Sequence, residues 1–200
     1  MWPQSDRVIV AASGPSIAAV TQEQVLSAGA TVIAVNGAID WLGRADYWFT
    51  LDPSQVNTVR ARHRVEGCRY VMALPRIARC PDGVTRLLRV EGKLFGKARA
   101  PGGLSRDHGA INTGNSGFGA LNLAYHMRPK KILLLGVDAK QERRVDGGMP
   151  RKLDHLPGLF ATAVPQLEMA GVEVVNGSPF SAVTCFPRMA PEEGLAWLSA

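Results

Sequence analysis

The amino-acid sequence predicts an α/β protein with a Rossmann-like, three-layer α/β/α fold, a mostly parallel sheet and an irregular basic insertion. Short apolar runs rich in Val, Ile and Leu alternate with amphipathic stretches of helical spacing. This alternation is typical of parallel strands covered by helices on both faces. The runs also end at turns made of Gly, Asn, Asp or Pro. In such sheets ligands bind beyond the carboxyl ends of the strands.

The first part of the chain predicts four strands and two helices. Strands are expected over residues 7–12, 31–35, 47–51 and 69–73, because these runs are β-branched or aromatic and are bounded by turn residues. The spacing of apolar residues predicts a helix over residues 17–28, after the first strand. Ser54 is placed to cap a second helix that runs to about His63.

The pattern loses its regularity over residues 74–112, which are rich in Pro, Gly and Arg. A structureless loop of this length is unusual in a compact domain. We therefore expect an irregular insertion or lid with a strand over residues 85–90 and a mobile part around residues 93–108. The remaining predicted elements are a helix from residue 117, strands over 131–135 and 172–175, and helices over 159–170 and 192–198.

Length and composition indicate one globular domain over residues 1–200. The chain is 46% hydrophobic and 20% charged, as in ordinary globular proteins. Its apolar runs are far shorter than the ~20 residues of a membrane-spanning helix, and the N-terminus lacks the layout of a signal peptide. We expect a cytoplasmic protein, in the bacterial host if a phage encodes it. Cys68, Cys80 and Cys185 form no Cys-x-x-Cys pair, so we expect them reduced and without zinc.

The charge of the chain favours an anionic partner. The formal net charge is +6, which suits nucleotide phosphates or a polyanion; no membrane partner is expected, because the apolar runs are short. Much of the excess lies in a basic segment over residues 60–106. Its basic residues are Arg60, Arg62, Arg64, Arg69, Arg76, Arg79, Arg86, Arg89, Lys93, Lys97, Arg99 and Arg106. This segment is either a solvated face or a surface for nucleic acid; assembly into a homo-oligomer stays open.

Polar turns at the strand ends predict a ligand site. Turns need Gly, Asn, Asp and Pro for backbone reasons alone, but five such turns at one edge of a parallel sheet indicate a shared function. With the Gly-rich segment 113–117, they supply the candidate ligand-binding residues. These residues are Ser13, Gly14, Pro15, Ser16, Asn36, Asp52, Asn115, Ser116, Gly117, Gly136, Asp138 and Asn176.

Two Gly-rich loops are candidates for phosphate binding. Residues 13–16 lie between a strand and a helix, where backbone amides at a helix N-terminus suit a phosphate. Their sequence is neither the six-position dinucleotide fingerprint nor a Walker A loop, and a tight turn is the alternative interpretation. Residues 113–117 form a second Gly-rich helix entry. Two such loops favour a nucleotide site.

Asp138 and His155 are the candidates for chemistry. Asp138 follows the most apolar strand and is expected to hydrogen-bond to the ligand; the alternatives are a metal ligand or a turn cap. His155 follows Asp154 in a loop near the same edge, so it is the candidate general acid or base. His63 and His108 have weaker contexts, and His126 is expected to end a helix, where a cation suits the dipole.

These motifs resemble two related families. A strand followed by Gly-Pro-Ser, a strand ending in Asn and an aromatic strand ending in Asp-Pro are similar to the bacterial sialyltransferases of glycosyltransferase family 42. They are equally similar to the 6-hydroxymethylpterin diphosphokinase-like proteins. The resemblance resumes at Asn115-Ser116-Gly117 and at the strand ending Gly136-Val137-Asp138. The segment 176–187 resembles small members of this superfamily that tailed phages encode.

The resemblance implies roles for the candidate residues. Gly14, Pro15 and Ser16 would lie by the donor phosphates, and Asn36 and Asp52 would contact the nucleotide. Ser116 and Gly117 would lie under the base or ribose, beside Gly136 and Asp138. His155 would match the catalytic base that deprotonates the acceptor hydroxyl.

The chain also departs from the sialyltransferase pattern. Ser13 and Asp52 stand where the sialyltransferases carry Asn, the loop before His155 is shorter, and family tyrosines that steady the departing phosphate have no counterpart in it. CMP-sialic acid is therefore not implied as the donor.

Three functions follow from the sequence. The leading hypothesis is a glycosyltransferase that uses a nucleotide or nucleotide-sugar donor and an acceptor hydroxyl, with modified DNA as a candidate acceptor. The second is an ATP-dependent pyrophosphoryl transferase in which Asp52 and Asp138 hold Mg²⁺. The third is a non-catalytic, phage-type nucleic-acid-binding or morphogenetic protein.

Overall fold

The chain folds around one large parallel sheet. The computed structural model describes residues 1–94, 97–149 and 152–200, with the backbone alone for 93, 94 and 97–99. The described strands are β1 (Arg7–Ala11), β2 (Thr31–Val35), β3 (Tyr47–Thr50), β4 (Arg69–Leu74), β5 (Thr85–Val90), β6 (Gly92–Leu94), β7 (Lys97–Arg99), β8 (Ala110–Asn112), β9 (Lys131–Leu135) and β10 (Glu173–Gly177). The described α-helices are α1 (Gln22–Leu26), α2 (Ala38–Leu42), α3 (Gln55–Arg62), α4 (Ser116–His126), α5 (Leu156–Ala161), α6 (Val164–Met169) and α7 (Pro191–Ser199).

The strand order of the sheet is β10-β9-β1-β2-β3-β4-β5-β8, and all neighbours are parallel. From β1 the chain adds strands outward in one direction as far as β8, then crosses back to place β9 on the other side of β1. The direction of winding therefore changes between β1 and β9. Ligand crevices of open parallel sheets form at such a switch point. The predicted Rossmann-like α/β fold is confirmed.

Alternate residues of each strand feed two cores on opposite faces of the sheet. In β1, Val8 and Val10 belong to one core and Ile9 and Ala11 to the other. The first core receives side chains from α4, α5 and α6, and the second receives them from α1, α2, α3 and α7. Because both faces are covered, the central strands β1, β2 and β9 are almost entirely apolar, which explains why their sequences lack polar alternation.

Two predicted helices are broken in the structure. The prediction of one helix over 17–28 is wrong: a 3-10 helix (Pro15–Ala19) is followed by α1. A new N-terminus forms because Thr21 Oγ1 accepts from Gln24 N at 3.1 Å while Gln24 Oε1 accepts from Thr21 N at 2.8 Å, a capping box. The predicted helix over 159–170 is likewise two helices, α5 and α6, with Pro165 in the first turn of α6, where proline is tolerated.

The segment 74–112 contributes two strands to the main sheet. The predicted strand over 85–90 is confirmed as β5, which pairs with β4, and β8 extends the sheet by one further strand. Between β5 and β8 in the chain, β6 and β7 form a separate antiparallel pair. The expected mobility around residues 93–108 falls partly on 95 and 96, outside the described residues. The basic insertion thus forms an edge of the sheet, which its irregular sequence does not indicate.

The side chains of Cys68, Cys80 and Cys185 are partly buried. The three cysteines are free. Burial raises the pKa of the thiols of Cys68, Cys80 and Cys185, that of Cys68 to about 12, so they remain protonated at neutral pH. Among the described residues, no helix has both the length and the apolar character required to traverse a bilayer.

Helix α4 packs directly on the middle of the sheet through Gly119. A Cβ atom there would lie 2.8 Å from Phe49 Cε1 and 3.2 Å from Ile111 Cγ2. Both neighbours are fully buried core residues, so neither has room to move away. The missing side chain lets α4 approach the sheet closely and sets where its N-terminus meets the carboxyl edge.

We expect Gly119→Ala to destabilise the protein. Overpacking a filled core costs about 1–3 kcal/mol, which outweighs the helix-propensity gain of up to about 1 kcal/mol for Gly→Ala. Gly158→Ala in α5 is the matched control, because a Cβ there meets no atom within 4 Å. Urea denaturation should show a lower midpoint for the first variant and an unchanged or higher midpoint for the second. Equal stabilisation by both would contradict the close packing of α4.

Candidate functional site

A cleft of about 460 Å³ opens at the carboxyl edge of the sheet. The loops that follow β1, β2, β3, β8 and β9 line it, together with residues 152–156 before α5. It therefore spans the switch point between β1 and β9. This volume lies in the usual range for small-molecule sites.

Most of the predicted ligand residues line this cleft. They are Ser13, Gly14, Pro15, Asn36, Asp52, Asn115, Ser116, Gly117, Gly136, Asp138 and His155. Four of the five polar turns thus come together, because carboxyl ends of parallel strands share one edge. Two predicted residues, Ser16 and Asn176, lie outside the lining.

The side chain of Ser16 faces Asp138 and not the cleft. Ser16 N donates to Asp138 Oδ2 at 2.9 Å, and Ser16 Oγ donates to Asp138 Oδ1. The remaining amides of this turn are also engaged: Gly14 N donates to Gly136 O, and Ile17 N donates to Gly14 O. Pro15 has no N–H. The expectation that the amides of the Gly-Pro-Ser turn bind a phosphate is therefore wrong, since the buried carboxylate of Asp138 occupies the amide of Ser16 and the carbonyl of Gly136 occupies that of Gly14.

Asn176 is removed from the cleft by the segment that follows β10. Its side chain is fully buried, with Nδ2 donating to Val137 O at 3.2 Å. Its backbone N and O pair with Pro187 and Met189, where the chain runs beside β10. The placement of Asn176 in the ligand site fails for this reason: a strand-like segment covers that end of β10.

Gly14 and Gly136 hold the two sides of the switch point in close contact. A Cβ at Gly14 would lie 2.5 Å from Asp138 Oδ2 and closer still to Gly136 O. Gly136 itself has φ +66°, a conformation that glycine adopts without strain. Glycine at these positions therefore brings the turn after β1 and the turn after β9 together.

Asn36 begins a polar network on the other side of the cleft. It adopts φ +52°, and its Oδ1 accepts from Thr50 Oγ1 at 2.6 Å and from Asn57 Nδ2 at 3.3 Å. Asn57 Nδ2 also donates to Asp52 O at 3.0 Å, and Asp52 Oδ1 accepts from Ser54 N at 3.1 Å. The network leaves Asn36 Nδ2 and Asp52 Oδ2 without hydrogen-bond partners among the described residues.

Helix α4 points its N-terminus at the cleft. Asn115 caps it by accepting from Gly117 N at 2.7 Å and from Phe118 N at 3.4 Å. Ser116 Oγ accepts from Leu51 N at 3.1 Å, which ties the helix to the end of β3. With 11 residues, α4 has a substantial macrodipole, whose positive end favours anions near the cleft.

Four cationic side chains that the sequence did not single out as ligand residues line the cleft: Arg89, Lys140, Arg144 and Lys152. Three of them have acidic neighbours. Arg89 pairs with Glu91, Arg144 Nε lies 3.2 Å from Asp146 Oδ1 without hydrogen-bond geometry, and Lys152 Nζ lies 3.4 Å from Asp154.

Lys140 differs from the other three cations. It is exposed, lies 5.8 Å from the centroid of the Phe180 ring and pairs with no acid among the described residues. The loop that carries it folds back over β1, with Val145 N donating to Ser13 O at 3.0 Å. Lys140 and Arg144 approach the cleft because this long-range contact holds their loop against the turn after β1.

His155 lies at the rim of the cleft. It is exposed and precedes α5 as its N-cap residue, but its side chain makes no capping bond. The imidazole is therefore accessible to a bound substrate. The other three histidines and the three cysteines are absent from the described lining.

The donor set for a metal is incomplete within the described residues. They contain no group of three or more His, Cys, Asp or Glu side chains arranged to hold a metal ion. Of the two candidate Mg²⁺ ligands, Asp138 is bonded through both oxygens to Ser16, and only Asp52 keeps an oxygen without a partner.

The basic segment is partly neutralised within the fold. Arg60 pairs with Asp40, while Arg64 and Arg86 donate to backbone carbonyls. The Arg69 guanidinium stacks 4.7 Å from the Trp2 ring centroid. The side chains of Lys93, Lys97 and Arg99 lie outside the described residues.

The all-parallel sheet and the cleft at its switch point define a Rossmann-like α/β protein. The solved structure of the MAf glycosyltransferase from Magnetospirillum magneticum AMB-1 is similar to it, with a TM-score of 0.64 and 15% sequence identity. The match covers 98% of this chain but only 37% of that protein. At this identity the likeness shows a shared, glycosyltransferase-like fold and no more. No protein-family model and no curated protein matches the sequence.

We expect the Ser16–Asp138 contact to be energetically coupled. Hydrogen bonds to a charged partner contribute about 1.5–3 kcal/mol, so Ser16→Ala should lower the free energy of unfolding measurably and Asp138→Ala more strongly. In the Asp138→Ala protein, Ser16→Ala should leave the free energy of unfolding almost unchanged. Urea denaturation of the four proteins of the cycle measures the coupling.

Asp154→Ala is the control for that cycle, because Asp154 is exposed and its ion pair with Lys152 is open to water. It should leave the unfolding midpoint nearly unchanged. Additive effects of Ser16→Ala and Asp138→Ala would contradict the coupling.

Proposed function

We propose that the protein is a group-transfer enzyme of glycosyltransferase type, which binds a nucleotide-activated donor in the carboxyl-edge cleft and transfers its group to an acceptor hydroxyl. The observation that carries the proposal is the meeting of polar strand-end loops, cationic side chains and the exposed imidazole of His155 at one cleft. The fold shared with a solved glycosyltransferase supports the same class of chemistry. The resemblance of the sequence to the sialyltransferases and diphosphokinase-like proteins supports a nucleotide donor.

The donor phosphates are proposed to lie toward Lys140 and Arg144 and the N-terminus of α4. Lys140 has no acidic partner among the described residues, and α4 contributes the positive end of its dipole. The two amides of the Gly-Pro-Ser turn are already occupied, that of Ser16 by Asp138 and that of Gly14 by the carbonyl of Gly136. A diphosphate would therefore bind mainly to side-chain cations, which stabilise the charge that develops on the leaving group.

The nucleoside is proposed to lie against Asn36 and Asp52. Asn36 Nδ2 is an available donor and Asp52 Oδ2 an available acceptor. A ribose hydroxyl can donate to the carboxylate while a base or ribose oxygen accepts from the amide. The network around Asn57 fixes both groups before the ligand arrives, which lowers the entropy lost on binding.

In the proposed reaction His155 acts as the general base. It takes the proton of the acceptor hydroxyl as that oxygen forms a bond to the anomeric carbon of the donor. The bond between that carbon and the phosphate oxygen breaks, and its electron pair leaves with the nucleotide. The exposure of His155 suits an acceptor that enters from solvent.

The donor can be identified by ligand-induced stabilisation. Nucleotides and nucleotide-sugars with different bases should be screened by thermal shift, since a ligand that binds the folded state raises the unfolding temperature. We expect at least one nucleotide-sugar to stabilise the protein in the presence of EDTA. Stabilisation by ATP that requires Mg²⁺ and disappears with EDTA would instead support the pyrophosphoryl transferase.

The acceptor is tested with the donor that the screen identifies. Sugars and modified DNA should be offered as hydroxyl acceptors. The non-catalytic alternative predicts salt-sensitive binding of DNA without turnover, because phosphate contacts release counterions. Turnover with any acceptor would exclude that alternative.

We expect His155→Ala to lower turnover about 10²–10⁴-fold, the usual contribution of a general base, with little change in donor affinity. The readouts are the initial rate of transfer and the donor-induced thermal shift. His63→Ala is the control, because His63 is exposed at the end of α3, outside the cleft lining. Wild-type turnover in the His155→Ala protein would remove His155 from the mechanism.

A further inference from the structure

A second cavity, of about 390 Å³, lies at the amino edge of the sheet. Its lining comes from the chain before β8, the end of α4, the turn before β9 and the turn before β10. These segments all precede strands, whereas the loops of the first cleft follow strands. The two sites are therefore at opposite edges of the sheet and share no lining residue.

The charged side chains that line this amino-edge cavity are basic, while the exposed carboxylate of Asp107 lies close enough to act on the His126 imidazole. Its polar lining residues are Arg106, His108, Tyr125, His126 and Arg128. No acidic side chain belongs to its described lining. Arg106 and Arg128 are exposed and form no ion pair with a described residue. Two guanidinium groups without counter-charges at one cavity favour an anion and disfavour a metal cation.

The two imidazoles have unused hydrogen-bonding capacity. His126 is buried, and its Nε2 lies 2.8 Å from Ser105 O, which places the ring proton on that nitrogen. Nδ1 of His126 and Nδ1 of His108 are both buried without a partner in the described structure, and the two rings lie 5.0 Å apart. Buried polar atoms almost always have a partner, from the protein or from a bound molecule.

The protonation of His126 restricts the ligand further. Burial lowers the pKa of His126, so its Nδ1 is an acceptor at neutral pH, in contrast to the cation at a helix end that the sequence predicted. A complementary ligand presents acceptor oxygens to the guanidinium groups and also an acidic hydroxyl to an imidazole. A singly protonated phosphate group has both, whereas sulfate at neutral pH has only the oxygens. The second pKa of a phosphate monoester is about 6, so this site would select the singly protonated form from a solution in which the dianion predominates.

Arg128 adopts a backbone conformation that favours glycine. Arg128 directly follows the C-cap residue of α4 and has φ +53°. Glycine is the favoured residue at this position, because a side chain strains the left-handed conformation. In the described structure the Arg128 guanidinium forms no hydrogen bond or ion pair that would compensate for the strain.

We propose that the amino-edge cavity binds a small phosphate monoester, with Arg106 and Arg128 on the phosphate oxygens and the two imidazoles completing the site. The volume of the cavity leaves space for the organic part of such a molecule beside Tyr125. This site is independent of the proposed transferase activity.

Isothermal titration of the full chain tests the proposal, with inorganic phosphate, glycerol 3-phosphate and sulfate as probes. We expect both phosphates to bind and sulfate to bind more weakly. Arg128→Gly should weaken phosphate binding at least about tenfold, because one strong charged pair is lost. The same change should leave the unfolding temperature unchanged or higher, because the backbone strain is relieved. Arg106→Gln should weaken binding similarly.

Arg62→Gln is the matched control, since it removes one exposed positive charge at the end of α3. It should retain wild-type phosphate affinity. Absence of phosphate binding, or equal affinity in the Arg106, Arg128 and Arg62 variants, would overturn the proposal. Binding of Zn²⁺ in preference to phosphate, lost in His126→Asn, or binding of duplex DNA without the monoester, would also overturn it. The donor-induced thermal shift at the first cleft should be unaffected by Arg128→Gly, which distinguishes the two sites.

Discussion

The shape of the cleft depends on one buried contact, between the carboxylate of Asp138 and the backbone and hydroxyl of Ser16. Asp138 follows β9 and Ser16 follows β1, so the contact crosses the point where the winding of the sheet changes direction. A carboxylate can be buried here because each oxygen accepts a hydrogen bond, which compensates for lost hydration. The backbone hydrogen bond from Gly14 N to Gly136 O brings the two turns close enough for Ser16 and Asp138 to meet.

This contact also explains how the site departs from a simple phosphate-binding loop. Free amides at a helix N-terminus attract anions, and in this chain the anion is the protein's own Asp138. The turn is therefore rigid before any ligand arrives, and ligand charge has to be met elsewhere. Lys140, Arg144 and the positive end of α4 are the groups positioned for that role.

Much of the fold could be predicted because its strands are buried on both faces. The continuous apolar runs of β2 and β9 have the same bounds in sequence and structure. The five-residue helix α2 and the three-residue strand β8 are too short to show a period. The broken helix after β1 follows from local capping at Thr21, which competes with the apolar spacing that predicted one longer helix.

The cleft was predictable to the level of loops but not of side chains. The rule for carboxyl ends of parallel strands brings Asn36, Asp52 and Asp138 to one cleft. The same rule fails for Asn176, because a later segment covers the end of β10, and sequence periodicity carries no signal of that contact. Lys140 and Arg144 reach the cleft only because their loop bonds back to the turn after β1, which no local pattern encodes.

The central position of β1 has a consequence for how the protein is made. One neighbour of β1 is β2, which follows closely in the chain. The other is β9, in which Lys131 pairs with Arg7 of β1. On a ribosome, the more than 100 residues between β1 and β9 must therefore emerge before both sides of β1 are covered. Until then the nascent chain exposes an apolar, unpaired strand edge, which other chains can join. Such long-range closure also slows folding, so synthesis at lower temperature or with chaperones should favour the yield of native protein.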